Sequence, residues 1–325
     1  MPLFRRAKKS GDLGNSPVPP WCSWLGPAEW QAFQDVLADI FLDGSDSGPP
    51  MNFGDRQHLR LGAADEPGIA LDLAEIARLV SDLPHDQWRS ATVDYLNGQL
   101  SLRDRREALY RAGFDEVRHL LMPRLVRADT VGDHHGLALS LTGDLAAVLV
   151  LRFADNLSAA VPPAQFESWN LGAEEVWDAA LGNLRTHPVD LDDDGKPNPM
   201  VSVEGESGFT CTHVLRAPEL LTRPAPLGVL AMVPHEEFLF LQAVDGTDLR
   251  IQLIAFSMVI RQNWDGASAE HRLSPDILWV HEGEIETVTV EPAPPGSNQP
   301  GVISGSERFI ALLSSIHPPD QYPAA

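Results

Sequence analysis

The stretch that most constrains the fold is Gly228-Val-Leu-Ala-Met-Val-Pro-His-Glu-Glu-Phe-Leu-Phe-Leu241. Two apolar runs are separated only by Pro234-His235-Glu236-Glu237. Runs this short read as buried strands, and Pro followed by polar residues reads as the turn that reverses the chain. Such a hairpin needs further strands beside it and a second layer to cover it.

The rest of the pattern supplies both. Strands over 228–233 and 238–243 are followed by a helix from Gly246-Thr247 to about Asn263. A last hairpin pairs Ile277–His281 with Ile285–Val290 across Glu282-Gly283, so the second half reads β-β-α-β-β. Upstream, Ala173, Val176, Trp177, Ala180, Leu181 and Leu184 recur at helical spacing. Glu174 and Glu175 sit in that helix's first turn and Arg185 in its last, as the helix dipole favours. Short strands are expected over 57–64 and 68–73, and helices over 73–82, 86–97 and 101–121. Pro123-Arg124-Leu125-Val126 reads as extended, 137–142 as a half-buried strand, and Leu145 to Phe153 as an apolar strand returning through Leu157 to Val161. The class is α+β, with mostly antiparallel sheets and packed helices.

Residues 1–20 read as a disordered tail and 21–50 as a Trp-rich amphipathic helix, 27–43, with its linker. Residues 51–293 form the α+β body, with a further division at 200 left open. A Pro/Gly/Ser-rich linker and a short helix around Phe309, Leu312, Leu313 and Ile316 occupy 294–325. The aromatic face of the 27–43 helix is expected to pack on the body, with partner binding as the alternative.

The formal net charge is -22, from 24 basic and 46 acidic residues. A field of that sign repels phosphate backbones and anionic lipid, so neither nucleic acid nor membrane is an expected partner. Only Cys22 and Cys211 are present, with no Cys-x-x-Cys, which fits a reducing cytoplasm and leaves one bridge open. The basic cluster Arg5, Arg6, Lys8 and Lys9 precedes a polar stretch, so no secretory signal is expected. The best candidate for a membrane span, Leu249 to Ile260, is too short and contains Arg250 and Gln252, and reads as a buried core helix.

Asp190, Asp192 and Asp194, with Gly195, match the first half of a calcium loop. Its twelfth position is Val201 where a bidentate Glu belongs, so an acidic, Pro-containing loop over 190–199 is the expected reading. Asp133-His134-His135 has no further ligand at useful spacing and reads as a polar turn. Serine-elbow, phosphate-loop and dinucleotide patterns are absent, and no metal, cofactor or set of catalytic residues is expected. His235 beside Glu236 and Glu237 could serve as a base with its orienting partner. The same residues make an ordinary turn between buried strands, which is the favoured reading.

Three segments resemble the YtpQ-like family of uncharacterised bacterial proteins. Ala180-Leu181-Gly182-Asn183-Leu184-Arg185 is similar to the family's Ala-Leu-x-Asn-x-Arg. Gly228 to Phe238 is similar to its Gly-x-x-Val-Ala-Val-Pro strand and polar turn. Leu273 to Val280 with Glu282-Gly283 resembles its closing hairpin. The resemblance spans about residues 57–293 and implies a cytosolic α+β protein, with no catalytic residue to carry over. The Trp-rich helix, the 190–200 loop and the Pro-rich tail depart from it.

The function expected from these observations is a non-catalytic binding or protein-interaction module for an unknown protein partner or small ligand. His235, Glu236, Glu237, Asn183 and Arg185 are its candidate binding residues. The alternative is a hydrolase or transferase using His235 with Glu236 or Glu237. A small-ligand sensor between the two halves is a third reading.

Overall fold

The computed structural model describes residues 18–42, 57–61, 69–154, 157–193, 200–205, 208–246, 249–269, 271–291 and 302–316. The chain divides into two compact units, 1–107 and 108–325. Composition places boundaries at 50, 293 and, as an open division, 200. No composition shift marks 107, because one 24-residue helix runs through it and Gly98 interrupts the pattern without breaking that helix. The expected 1–20 tail up to residue 17, the 43–56 stretch and the 62–68 turn lie outside the described residues.

The first unit holds α1 (Pro27–Leu42), β1 (His58–Leu61), β2 (Ile69–Asp72), α2 (Leu73–Ser81) and most of α3 (Trp88–Arg111). Pro27 opens α1 at the position where its missing N–H costs nothing. Asp72 caps α2, its carboxylate accepting from the Ala74 N–H at 2.8 Å. Trp30, Phe33, Leu37 and Phe41 of α1 are buried with Ile76 and Val80 of α2 and Trp88 and Leu96 of α3. Each such side chain contributes roughly 1.5–3 kcal/mol on burial. The Trp-rich helix therefore spends its apolar face on internal packing.

The second unit opens with α4 (Phe114–Val117), β3 (Leu121–Arg127), β4 (Ala138–Ser140), β5 (Leu145–Ala154), β6 (Leu157–Ala160), α5 (Pro163–Ser168) and α6 (Ala173–Thr186). β3 pairs along one side of β5, and β4 and β6 along the other, all antiparallel. Pro123, which cannot donate to a ladder, lies on the edge strand β3. Leu121, Leu149 and Leu151 pack with Val176 and Ala180 of α6, while Met122, Val148 and Val150 form a separate cluster with Phe209. The expected half-buried strand at 137–142 is corrected: β4 is three residues long and exposed throughout. Only the flanking Leu137 and Leu141 are partly buried, each packed against a different core cluster.

Then follow β7 (Val189–Asp193), β8 (Val201–Gly205), α7 (Ala217–Leu220), β9 (Val229–Met232), β10 (Leu239–Ala243), α8 (Leu249–Gly266), β11 (Ile277–His281), β12 (Glu284–Glu291), β13 (Val302–Ser304) and α9 (Glu307–Ile316). The strands form one antiparallel sheet of order β13-β12-β11-β9-β10-β8-β7. Its β9-β10-α8-β11-β12 run carries the expected β-β-α-β-β pattern. Val229, Ala231, Leu239 and Leu241 pack with Val214, Ala217 and Leu220. Leu230, Met232, Ile277 and Trp279 pack with Leu253 and Phe256 of α8 and Phe309 of α9. β11 and β12 turn through Glu282 (φ 53°) and Gly283 (φ 82°), the left-handed pair that suits a tight hairpin.

Three expectations change here. Asp190 to Asp193 belong to the edge strand β7, not to a loop, because they pair with β8. The linker expected from 294 is interrupted before its helix, since Val302–Ser304 pairs with β12 as the strand β13. α8 buries one stripe only: Leu249, Leu253, Phe256 and Ile260 face the sheet, while Ile251, Ile254 and Met258 are exposed. Among the described residues no helix is long and apolar enough to cross a membrane.

Candidate functional site

Strand periodicity builds one wall of a cleft. Arg124 lies opposite Val148 and Val150 opposite Ala160, so Arg124, Val148, Val150, Ser158 and Ala160 share one face of the small sheet. The facing wall is the β9–β10 turn. Phe238 N–H donates to His235 O at 3.1 Å, which places Glu236 and Glu237 at the corner. The chain before β11 runs beside this turn: Leu273 N–H donates to Pro234 O at 2.9 Å and Ser274 N–H to Val233 O at 3.2 Å. His235 and Arg272 form an antiparallel bridge between the two segments.

Glu236 ties the walls together. Its Oε2 accepts from Arg124 Nη2 at 2.8 Å, and its Oε1 meets His271 Nδ1 at 2.6 Å. Arg124 Nη1 reaches Ser158 Oγ at 3.4 Å. The Glu236 side chain is 19% exposed, against 55% for His271. The cleft so formed has a volume of about 220 Å³. Val148, Val150 and Ala160 give it an apolar side, and Arg127, His135 and Arg272 add to its polar rim. Arg127 is paired with Asp129. Arg272 donates from Nε to Ala267 O at 3.1 Å, and its guanidinium lies 5.2 Å from the Trp264 ring centre. Among the described residues it engages no carboxylate.

A larger, open depression of about 480 Å³ lies at the start of α6, lined by Arg118, Glu174, Glu175 and Asp178. Glu174 and Glu175 suit the helix N-terminus, and Arg118 is the one cation among the lining residues.

Of the residues singled out from sequence, Glu236 lines the cleft and His135 its rim, while His235, Glu237, Asn183 and Arg185 lie outside it. The His235 ring lies 5.4 Å from that of Phe238, and burial lowers its pKa against the opposing pull of Glu237 and Glu236. Glu237 is exposed at the turn. Asn183 donates its amide to Arg118 O at 2.7 Å and Leu121 O at 2.8 Å, fixing the entry to β3. Arg185 donates to Glu219 at 3.1 Å. Asp190 and Asp192 sit in extended β7, where no calcium-loop turn exists, and Asp194 lies outside the described residues. His135 is at the rim with its ring 3.9 Å from that of His134. Among the described residues no three His, Cys, Asp or Glu side chains converge to hold a metal ion.

Sequence reasoning passed over Arg124, His271 and Arg272. One signal existed: Arg124 is a cation inside an apolar strand, on the face it shares with Met122 and Val126. A second missed feature is a buried imidazole chain. Arg216 Nε donates to His213 Nδ1 at 2.8 Å, so the His213 proton is on Nε2, which lies 3.3 Å from His187 Nδ1. Burial, then Arg216 and His187, push the His213 pKa down to about 3. Arg216 also binds the carbonyls of Arg185 and His187, so the chain locks the end of α6 to the 210–216 turn.

Cys22 and Cys211 are both free and buried. Burial pushes the Cys211 thiol up to about 12, which leaves it unreactive at neutral pH. A scan of family models, curated proteins and solved structures returned no match to the chain.

Proposed function

We propose that this chain is a non-catalytic binding protein of the cytoplasm and that its site is the Arg124–Glu236–His271 cleft. One observation carries the reading: three arginines gather round a cleft in a chain of net charge -22. Cations concentrated against the sign of the whole molecule mark a place where charge is used locally. Two free cysteines agree with a reducing compartment. The segments that resemble the YtpQ-like family support the same reading, since Asn183 and the β9–β10 strands act as framework. A thermal-shift screen against metabolites tests it. Compounds that raise the melting temperature of the wild type, and not of Arg272→Gln, are expected. A screen in which nothing shifts the wild type would sink the proposal.

A second reading, a hydrolase or transferase, rests on the 2.6 Å contact between Glu236 and His271. A carboxylate that orients an imidazole is the arrangement of a general base. The base would then be His271, not His235. Turnover of acyl, phosphoryl or glycosyl substrates that is lost in His271→Gln and kept in His235→Gln would favour it over simple binding.

A further inference from the structure

We infer that the cleft takes a small organic carboxylate, received by Arg272 and Arg127 with its hydrocarbon part against Val126 and Ala160. The inference rests on the binding reading above and names its ligand class.

Size comes first. A volume of about 220 Å³ equals roughly seven waters at about 30 Å³ each. It lies below the ~300–1,000 Å³ of pockets that hold drug-sized ligands. A nucleotide is too large to be enclosed.

Charge comes next. The cleft presents Arg124, Arg127 and Arg272 against one carboxylate, Glu236. That carboxylate is already committed, to Arg124 on one oxygen and His271 on the other. Glu236 thus neutralises Arg124 and leaves the rim cationic. Exposed Asp129 takes Nε and Nη2 of Arg127, leaving Nη1, and the Arg272 guanidinium lies 5.2 Å from the centre of the Trp264 ring. The ring contact and the Nε bond to Ala267 O anchor Arg272, and among the described residues its two terminal nitrogens bond no other group. A planar fork of donors matches a carboxylate or a phosphate in two parallel hydrogen bonds.

The apolar wall separates those two anions. Val126 and Ala160, both part-exposed, present hydrocarbon that gains by covering hydrocarbon, with buried Val148 and Val150 beside them. Inorganic phosphate has none to offer and would keep its hydration on that side. A short-chain carboxylate satisfies both walls at once.

Isothermal titration of the full chain with butyrate, succinate, butyramide and inorganic phosphate decides the matter. Saturable binding of butyrate or succinate is expected, with butyramide and phosphate at least roughly tenfold weaker, the size expected for losing a hydrogen bond to a charged group. Arg272→Gln should weaken the carboxylate by a similar factor. Arg127→Gln, at the exposed rim, gives the same readout should Arg272→Gln fail to fold. Equal binding of butyramide, preferred binding of phosphate, or no effect of either variant would overturn the carboxylate assignment. If a neutral or cationic compound from the screen binds with dependence on Arg272, the cleft remains the site and only its ligand class falls. If nothing binds, both readings fall together.

Discussion

Arg124 of β3 and Glu236 of the β9–β10 turn are 112 residues apart in sequence and joined by a 2.8 Å hydrogen bond between charged groups. The bond links the small sheet to the large one. Both side chains are partly buried, at 34% and 19% exposure. Removing one partner leaves the other poorly solvated. Arg124→Met and Glu236→Gln are each expected to cost about 1–3 kcal/mol in urea denaturation, by the usual value of hydrogen bonds to charged groups. The double variant should cost less than the two single variants added. Strict additivity would show that the pair contributes nothing as a pair.

The sign of the pH dependence follows from His213. Its folded pKa, about 3, lies below the ordinary value of 6.5. Between those values the unfolded chain binds a proton that the folded chain refuses, so stability rises with pH. The contribution is complete above about 6.5 and is lost as pH falls toward 3, at no more than about 1.4 kcal/mol per pH unit. His213→Asn keeps an acceptor for Arg216 and cannot titrate. Stability measured at pH 7 and pH 5 should fall more in the wild type than in this variant. Equal losses would rule out His213 as the group responsible.

The elements legible in the sequence are those whose pattern is local. The α6 stripe from Ala173 to Leu184, the β9–β10 hairpin and the Glu282-Gly283 turn each carry their own signal, and each is where the pattern places it. The cleft is not local. Arg124, Ser158, Glu236 and Arg272 come from four segments, and only tertiary packing brings them together. Proximity in sequence also pointed Glu236 at the wrong imidazole. A β-turn sends neighbouring side chains apart, so Glu236 turns inward to His271 while His235 packs on Phe238. The unit boundary was hidden for another reason: a continuous helix leaves no compositional break.

Gly228 is required by its backbone and by its surroundings. Its φ is +94°, and a methyl group there would meet the Trp279 ring nitrogen and lie 2.9 Å from Val280 O. Trp279 Nε1 donates to Leu227 O at 2.9 Å, so the ring cannot yield without losing that bond. Gly228→Ala is expected to cost roughly 2–4 kcal/mol, from left-handed strain added to overpacking. Gly98→Ala is the control. Its Cβ would meet nothing within 4 Å, and it sits in the interior of α3. It should stabilise by about 0.5–1 kcal/mol, the difference in helix propensity. Urea midpoints of the two variants moving in the same direction would contradict this account.

Thr92 of α3 gives the opposite kind of prediction, a gain. Its side chain is fully buried, and its hydroxyl has no hydrogen-bond partner among the described residues. An unpaired buried hydroxyl costs free energy, because it has given up water and received nothing in return. Valine has the same branched shape and offers a methyl in place of the oxygen. Both residues are β-branched, with nearly equal helix propensity, so the backbone cost hardly changes. Thr92→Val is therefore expected to raise stability by about 1 kcal/mol, the low end of the usual cost of an unsatisfied group. Thr92→Ala removes the same hydroxyl and leaves a small cavity, so it should do worse than valine. Thermal and urea unfolding of the three proteins test the argument. A Thr92→Val protein less stable than the wild type would mean that the hydroxyl is satisfied, most simply by a buried water.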